Sequence, residues 1–164
     1  MNQNPLNLVI NGEHHQLMTH PHWTLLQVLR THLGIMGTKE NCLEAECGVC
    51  TVLLDGKAVN SCILLAGQAE GRAIITIEGL GDPEHLHPLQ YAFVESGAVQ
   101  CGYCIPGMIL NAKSFLDENP GRQPSRQEIR EAIAGTLCRC TGYRKIVDAV
   151  AIAAERMSAS GQDI

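Results

Sequence analysis

The chain has 164 residues, room for one ordinary domain or two small ones of roughly 80 residues each. Hydrophobic residues make up 45% and charged residues 18%, a globular composition, but only 4% are aromatic, so a core must come mainly from Leu, Ile, Val and Ala. A net charge of −5 with no Lys/Arg run argues against general nucleic-acid binding, and no apolar stretch approaches the ~20 residues that span a bilayer.

Residues 1–13 contain no basic segment, apolar leader core or twin arginine, so a cytoplasmic location is expected. Leu6, Leu8 and Ile10 alternate as in a half-buried strand, and Asn11-Gly12 is a two-residue hairpin turn. Thr24 can cap a helix over residues 25–32, with Leu25, Val28, Leu29 and Leu33 on one face. A second hairpin is predicted from 51–54 and 57–59 about Asp55-Gly56, and another strand around 74–77. Gly- and Pro-rich residues 79–88 then punctuate the chain. Beyond them the pattern turns helical. A short helix is expected at 89–95 and a second opening at Pro106, with Met108, Ile109, Ala112, Phe115 and Leu116 as its apolar stripe. Ser125-Arg126-Gln127-Glu128 is a capping box before a third, and Ile146, Val147, Val150, Ala151 and Ala154 mark a last. These elements predict an α+β fold, with a ferredoxin-like β-grasp unit over 1–80 and a helical bundle over 85–164.

Eight cysteines are the outlying feature. In a reducing compartment such clustered thiols bind metal more often than they form disulfides. Cys42-x4-Cys47-x2-Cys50, with Cys62 following, has the plant-type spacing of a [2Fe–2S] loop, whereas zinc knuckles pair shorter repeats. The 51–59 hairpin carries the chain away from Cys50 and returns it to Cys62. Cys101-x2-Cys104 and Cys138-x-Cys140 fit one tetrahedral zinc or one [2Fe–2S] centre equally well. If the intervening helices pack antiparallel, the two pairs meet at one end of the bundle. Both pairs precede helices, whose positive ends, with Arg139, Arg144 and Lys145, favour an anionic centre. The seven histidines, none inside a cysteine loop, read as surface or linker residues, with His85 and His87 suited to holding the linker; Trp23 and Phe115 read as core. Tyr103 and Tyr143 suit either covering the metal or meeting a partner.

The stretches GTKENCLEAECGVCTVLLDG, GAVQCGYCIPGMI and GTLCRCTGYRKIV resemble the small iron–sulfur subunit of the molybdenum hydroxylases, and the resemblance covers residues 5–157. It implies that Cys42, Cys47, Cys50 and Cys62 hold one [2Fe–2S] cluster and Cys101, Cys104, Cys138 and Cys140 a second. It also implies that Gln100 and Cys140 contact the molybdopterin cofactor of a large partner subunit. Single electrons would pass from molybdenum through both clusters to FAD on a medium subunit, in a dimer of heterotrimers. On this resemblance the chain supplies no substrate pocket and no catalytic residue. One departure is the absence of glycine between Cys42 and Cys47, where loops of the family usually carry it. A free-standing ferredoxin-like carrier and a structural zinc module in the helical half are the alternative readings.

Overall fold

The computed structural model describes residues 3–160, so the outer ends of the expected divisions 1–80 and 85–164 lie outside the described residues. Strand β1 (Asn4–Ile10) turns into β2 (Glu13–Thr19) through Asn11 and Gly12, both at positive φ, and the pair is antiparallel with Leu6 opposite Leu17. Asp55 and Gly56 repeat this turn between β3 (Thr51–Leu54) and β4 (Lys57–Asn60). Positive φ at both turn positions matches the strand twist, which is why these dipeptides mark hairpins. Strand β5 (Ala73–Ile75) completes a five-stranded sheet in the order β2-β1-β5-β3-β4, running parallel to β1 and antiparallel to β3.

Leu6, Leu8 and Ile10 line one face of β1 and are buried with Val52, Leu54 and Ile74 against Leu25, Val28 and Leu29. The helix carrying those residues departs from expectation. Thr24 and Gln27 form the capping box of α1 (Leu25–Gln27), but the chain then widens into a π-helical turn over Val28–His32. The expected strand around 74–77 stops at Ile75, and Ile77–Gly79 is a 3-10 turn. There Asn11 clamps the chain: its Nδ2 donates to Thr76 Oγ1 (3.0 Å) and its Oδ1 accepts from Thr76 N–H (2.9 Å). Trp23 is half-buried and packs against the edge of this core, stacked on His32 at 4.0 Å and edge-on to His20. Phe115 is likewise half-buried.

Four helices follow: α2 (Pro88–Glu95), α3 (Ile105–Asp117), α4 (Arg126–Ile133) and α5 (Arg144–Ser160). Ser125 and Glu128 form the expected capping box of α4. Phe93, Met108, Ile129, Ile133, Ile146 and Val150 form the second core, which also takes in Cys47 and Val49 from the N-terminal half. No helix among the described residues is long and apolar enough to cross a membrane.

His87 caps α2 through its ring. Its Nδ1 accepts from Leu89 N–H (3.2 Å), while its own N–H donates to Gln90 Oε1 (2.9 Å). Burial pushes this imidazole down to about 4, and the buried Lys113 ammonium adds to the effect against the opposing pull of Asp117, which Lys113 itself bonds at 2.7 Å. A ring protonated at Nδ1 loses the cap acceptor. Between the ordinary value of 6.5 and about 4 the unfolded chain therefore binds the extra proton, so stability is full above that window and lost as pH falls through it. We expect a loss of about 1 kcal/mol after allowance for solvent screening. Thermal melts from pH 7 to 4 on wild type and His87→Asn check it: the variant should lose this part of the slope.

Candidate metal centres

The first cysteine loop is held in place before any cysteine is reached. Arg30 Nη1 donates to Thr38 O (2.8 Å) and Met36 O (3.2 Å), and Gly37 N–H donates to Glu78 Oε1 (2.5 Å). The chain then wraps tightly from Cys42 to Cys50. Leu43 and Ala45 both adopt left-handed φ of 61°, so the loop keeps the backbone that glycine normally supplies, without glycine. Each such residue costs about 1 kcal/mol or more. In return the loop's amides turn inward: Glu44 N–H and Cys47 N–H point at Cys42 Sγ at 3.5 and 3.4 Å. These backbone donors, Glu44 first, hold the Cys42 thiol down to about 7. Asn60 Nδ2 fixes the middle of the loop by donating to Ala45 O (3.2 Å). The β3–β4 hairpin delivers Cys62 as expected, and Ser61 Oγ secures the return by donating to Cys50 O (2.7 Å). Cys50 and Cys62 lie buried beside Leu26. Burial pushes the Cys50 thiol up to about 12.

The second group forms at one end of the helices. Cys104 is the N-cap of α3, so that helix does begin at a cysteine of the second set, but α5 starts at Arg144, four residues beyond Cys140. Cys140 Sγ lies 3.5 Å from Cys101 Sγ, and Cys138 lies close enough to Cys104 to act on its protonation. Burial pushes Cys104 up to about 12. Cys138 is also raised by burial, but hydrogen bonds from Thr141 and Cys140 outweigh this and leave it below the ordinary thiol value. The four thiols line a cavity of about 530 Å³ together with Cys47, Tyr103, Leu137, Arg139 and Tyr143. Arg139 therefore faces the thiols, whereas Arg144 lines a neighbouring cavity with Arg126 and Arg130. Gln100 is exposed beside Cys101.

All eight cysteines are free. Cys101 and Cys140 meet sulfur to sulfur, and within each set the other thiols lie close enough to act on one another's protonation. Among the described residues, no three of His, Cys, Asp or Glu converge on a single point. One tetrahedral ion takes four donors at once, whereas a di-iron, di-sulfide core takes two thiolates at each end. Four sulfur donors in each set, with no nitrogen or oxygen ligand among them, can hold the second kind of centre. Cys50 and Cys104, the thiols raised to about 12, must shed protons when metal binds.

The two sites are locked to each other by contacts with no local sequence signal. Leu137 N–H, one residue before Cys138, donates to Cys47 O (2.9 Å). Tyr103 Oη donates to Glu40 O, and Ala58 N–H donates to Ser114 Oγ (3.0 Å). Gly48 and Gly107 stand where the halves touch backbone to backbone.

Residues 8–74 match a family described as a 2Fe-2S iron-sulfur cluster binding domain, and residues 76–151 match a [2Fe-2S] binding domain. The nicotinate dehydrogenase small FeS subunit of Eubacterium barkeri is 51% identical, over 95% of this chain and 98% of that protein. The aldehyde oxidoreductase of Megalodesulfovibrio gigas is 45% identical over 90% of this chain, which corresponds to only 16% of that longer polypeptide. A chain of the quinoline 2-oxidoreductase crystal structure from Pseudomonas putida 86 superposes with a TM-score of 0.90 at 43% identity, covering 98% of this chain and 99% of that one. With both cluster-binding domains matched in order and iron–sulfur subunits of oxidoreductases aligned end to end, the chain belongs to the family of small [2Fe–2S] subunits of the molybdenum hydroxylases.

Proposed function

We propose that the chain is the electron-transfer subunit of a molybdenum hydroxylase complex, with a plant-ferredoxin-like β-grasp domain over 1–80 and a helical domain over 85–164. Cys42, Cys47, Cys50 and Cys62 hold one [2Fe–2S] cluster; Cys101, Cys104, Cys138 and Cys140 hold the other. Each cluster, when bound, stores and releases one electron at a time. The protein's part is to fix the thiolates in two sets, aim amide donors at sulfur and keep the two sites a fixed distance apart. The observation that carries this reading is the bond from Leu137 N–H to Cys47 O, which ties the loop of one thiol set to a ligand residue of the other.

The surroundings support a direction. Cys101, Cys140 and Gln100 are exposed and bordered by exposed apolar Val99, Tyr103 and Leu137, a surface suited to a protein partner. This is the end assigned to the large subunit, with Gln100 and Cys140 against its molybdopterin. Leu43 and Ile63, each next to a first-set cysteine, are also exposed, at 52% and 60%, and suit the FAD-bearing medium subunit. Electrons run from molybdenum through both centres to FAD, within a cytoplasmic dimer of heterotrimers. On this reading the substrate pocket belongs to the large subunit.

Protein purified anaerobically from its native cells should contain about four irons and four acid-labile sulfides, and reduction should give two distinct S = 1/2 EPR signals. It should co-purify with two larger chains, molybdopterin and FAD. A redox-active monomer would favour the free carrier, and stoichiometric zinc without labile sulfide would overturn the reading.

A further inference from the structure

The loop that carries Cys138 contains a closed hydrogen-bond circuit that goes beyond holding a ligand. Thr141 Oγ1 lies 3.0 Å from Cys138 Sγ, and Thr141 N–H lies 3.4 Å from the same sulfur. Tyr143 N–H donates to Thr141 Oγ1 at 3.3 Å, which occupies a lone pair of that oxygen and leaves its hydrogen for the sulfur. A cysteine bound to iron has lost its proton, so the Thr141 hydroxyl must be the donor in this pair.

The remaining groups of the loop are satisfied elsewhere. Cys138 N–H donates to Tyr143 Oη (2.7 Å), which in turn donates to Thr136 O (3.4 Å). Thr136 is fully buried, and its Oγ1 accepts from Asn111 Nδ2 of α3 at 2.7 Å. Tyr143 holds this fold at φ 65°, a left-handed conformation that the circuit maintains against its steric cost. Among the described residues, Cys138 is the only one of the eight thiols that a side-chain hydroxyl reaches; at the first site the N–H donors to Cys42 come from the backbone.

We propose that Thr141 is a positioning and tuning residue: its hydroxyl donates to the Cys138 sulfur and raises the reduction potential of the second centre. The inference rests on the ligand assignment above. Reduction adds negative charge that is shared with the thiolate sulfurs, and a donor aimed at one of them stabilises the reduced form more than the oxidised form. Tyr143 keeps the donor aimed by orienting the Thr141 oxygen and by absorbing the Cys138 amide.

The test is a potentiometric EPR titration of the reconstituted full chain, with Thr141→Val and Thr141→Ser compared with wild type. Thr141→Val should bind the second centre less reducibly, so that at the wild-type midpoint the oxidised-to-reduced ratio rises about tenfold, equivalent to about 59 mV for one electron. Thr141→Ser, which retains the hydroxyl, should titrate with wild type, and the first centre should not move in either variant. An unchanged midpoint in Thr141→Val at full iron and sulfide content overturns the proposal, and so does a Thr141→Ser midpoint displaced like that of Val. If Thr141→Val fails to assemble the centre, Thr141→Ser decides alone: normal assembly and potential support the hydroxyl's role, and loss of either refutes it. A wild-type protein without a second centre would instead sink the ligand assignment.

Discussion

Gly107→Ala is expected to lower stability by about 1–3 kcal/mol, the reverse of the usual gain of about 1 kcal/mol when alanine replaces glycine inside a helix. The sign comes from what faces Gly107 across the junction. A Cβ there would sit 2.6 Å from Gly48 O and 3.2 Å from Val49 Cα, all backbone atoms of the first ligand loop. The loop has no slack to give: Gly48 is itself at φ 66°, and a Cβ on it would lie 2.1 Å from Gly135 O, just ahead of the second ligand loop. Adding one methyl group to α3 therefore pushes the two loops apart. Melting should fall by about 2–12 °C for a chain of this size. The Leu137 amide should also lose protection from hydrogen exchange, because its acceptor is Cys47 O in the displaced loop. A melting temperature equal to or above wild type would show that the halves do not need this contact.

That junction marks the limit of what the sequence disclosed. Asn11-Gly12, Asp55-Gly56 and Ser125 with Glu128 were legible because each closes its own hydrogen bonds within four residues, and the alternation of Leu6, Leu8 and Ile10 is a strand's own period. Cysteine spacing marks the two groups, and the chain between them does bring Cys101 to Cys140. Contacts set by tertiary packing left no such local trace. Trp23 reads as core by hydrophobicity and packs at the core's edge, but nothing local signals its stacking on His32, and the widened turn at Val28–His32 has no proline or glycine to announce it. His87 reads as one more linker histidine; its ring caps α2 locally, but the burial that keeps the ring neutral is set by tertiary packing, with Lys113 adding to it from a helix away in sequence.

The stretch between Cys42 and Cys47 is the most instructive discrepancy. Glycine is common in such loops because the backbone must turn left-handed to aim amides at sulfur. Here Leu43 and Ala45 make the same turns, so the demand belongs to the amide geometry and not to the residue type. Asn60 holding Ala45 O is the nearest visible compensation, and it comes from β4, beyond the loop itself.

The largest spectroscopic effects are expected from one ligand of each set, and the two should differ in kind. Cys140 is exposed and packs in neither core, so Cys140→Ser should remove the second EPR signal and about half the iron while the first signal remains. Any fall in melting temperature should then come from the lost centre alone. Cys47 is only 5% exposed and belongs to the helical core beside Val49, Met108 and Ile105. Cys47→Ser should remove the first signal, and the more polar hydroxyl it places in this buried position should cost a further 1 kcal/mol, roughly. The excess destabilisation should persist in apo-protein, in which no cluster contributes. Because Leu137 bonds the main-chain oxygen of Cys47 and not its sulfur, the second centre should still assemble in this variant. If Cys140→Ser erased both signals, the thiols would not form two separately loaded sites. If apo Cys47→Ser melted like apo wild type, the side chain of Cys47 would have no part in the core that joins the halves.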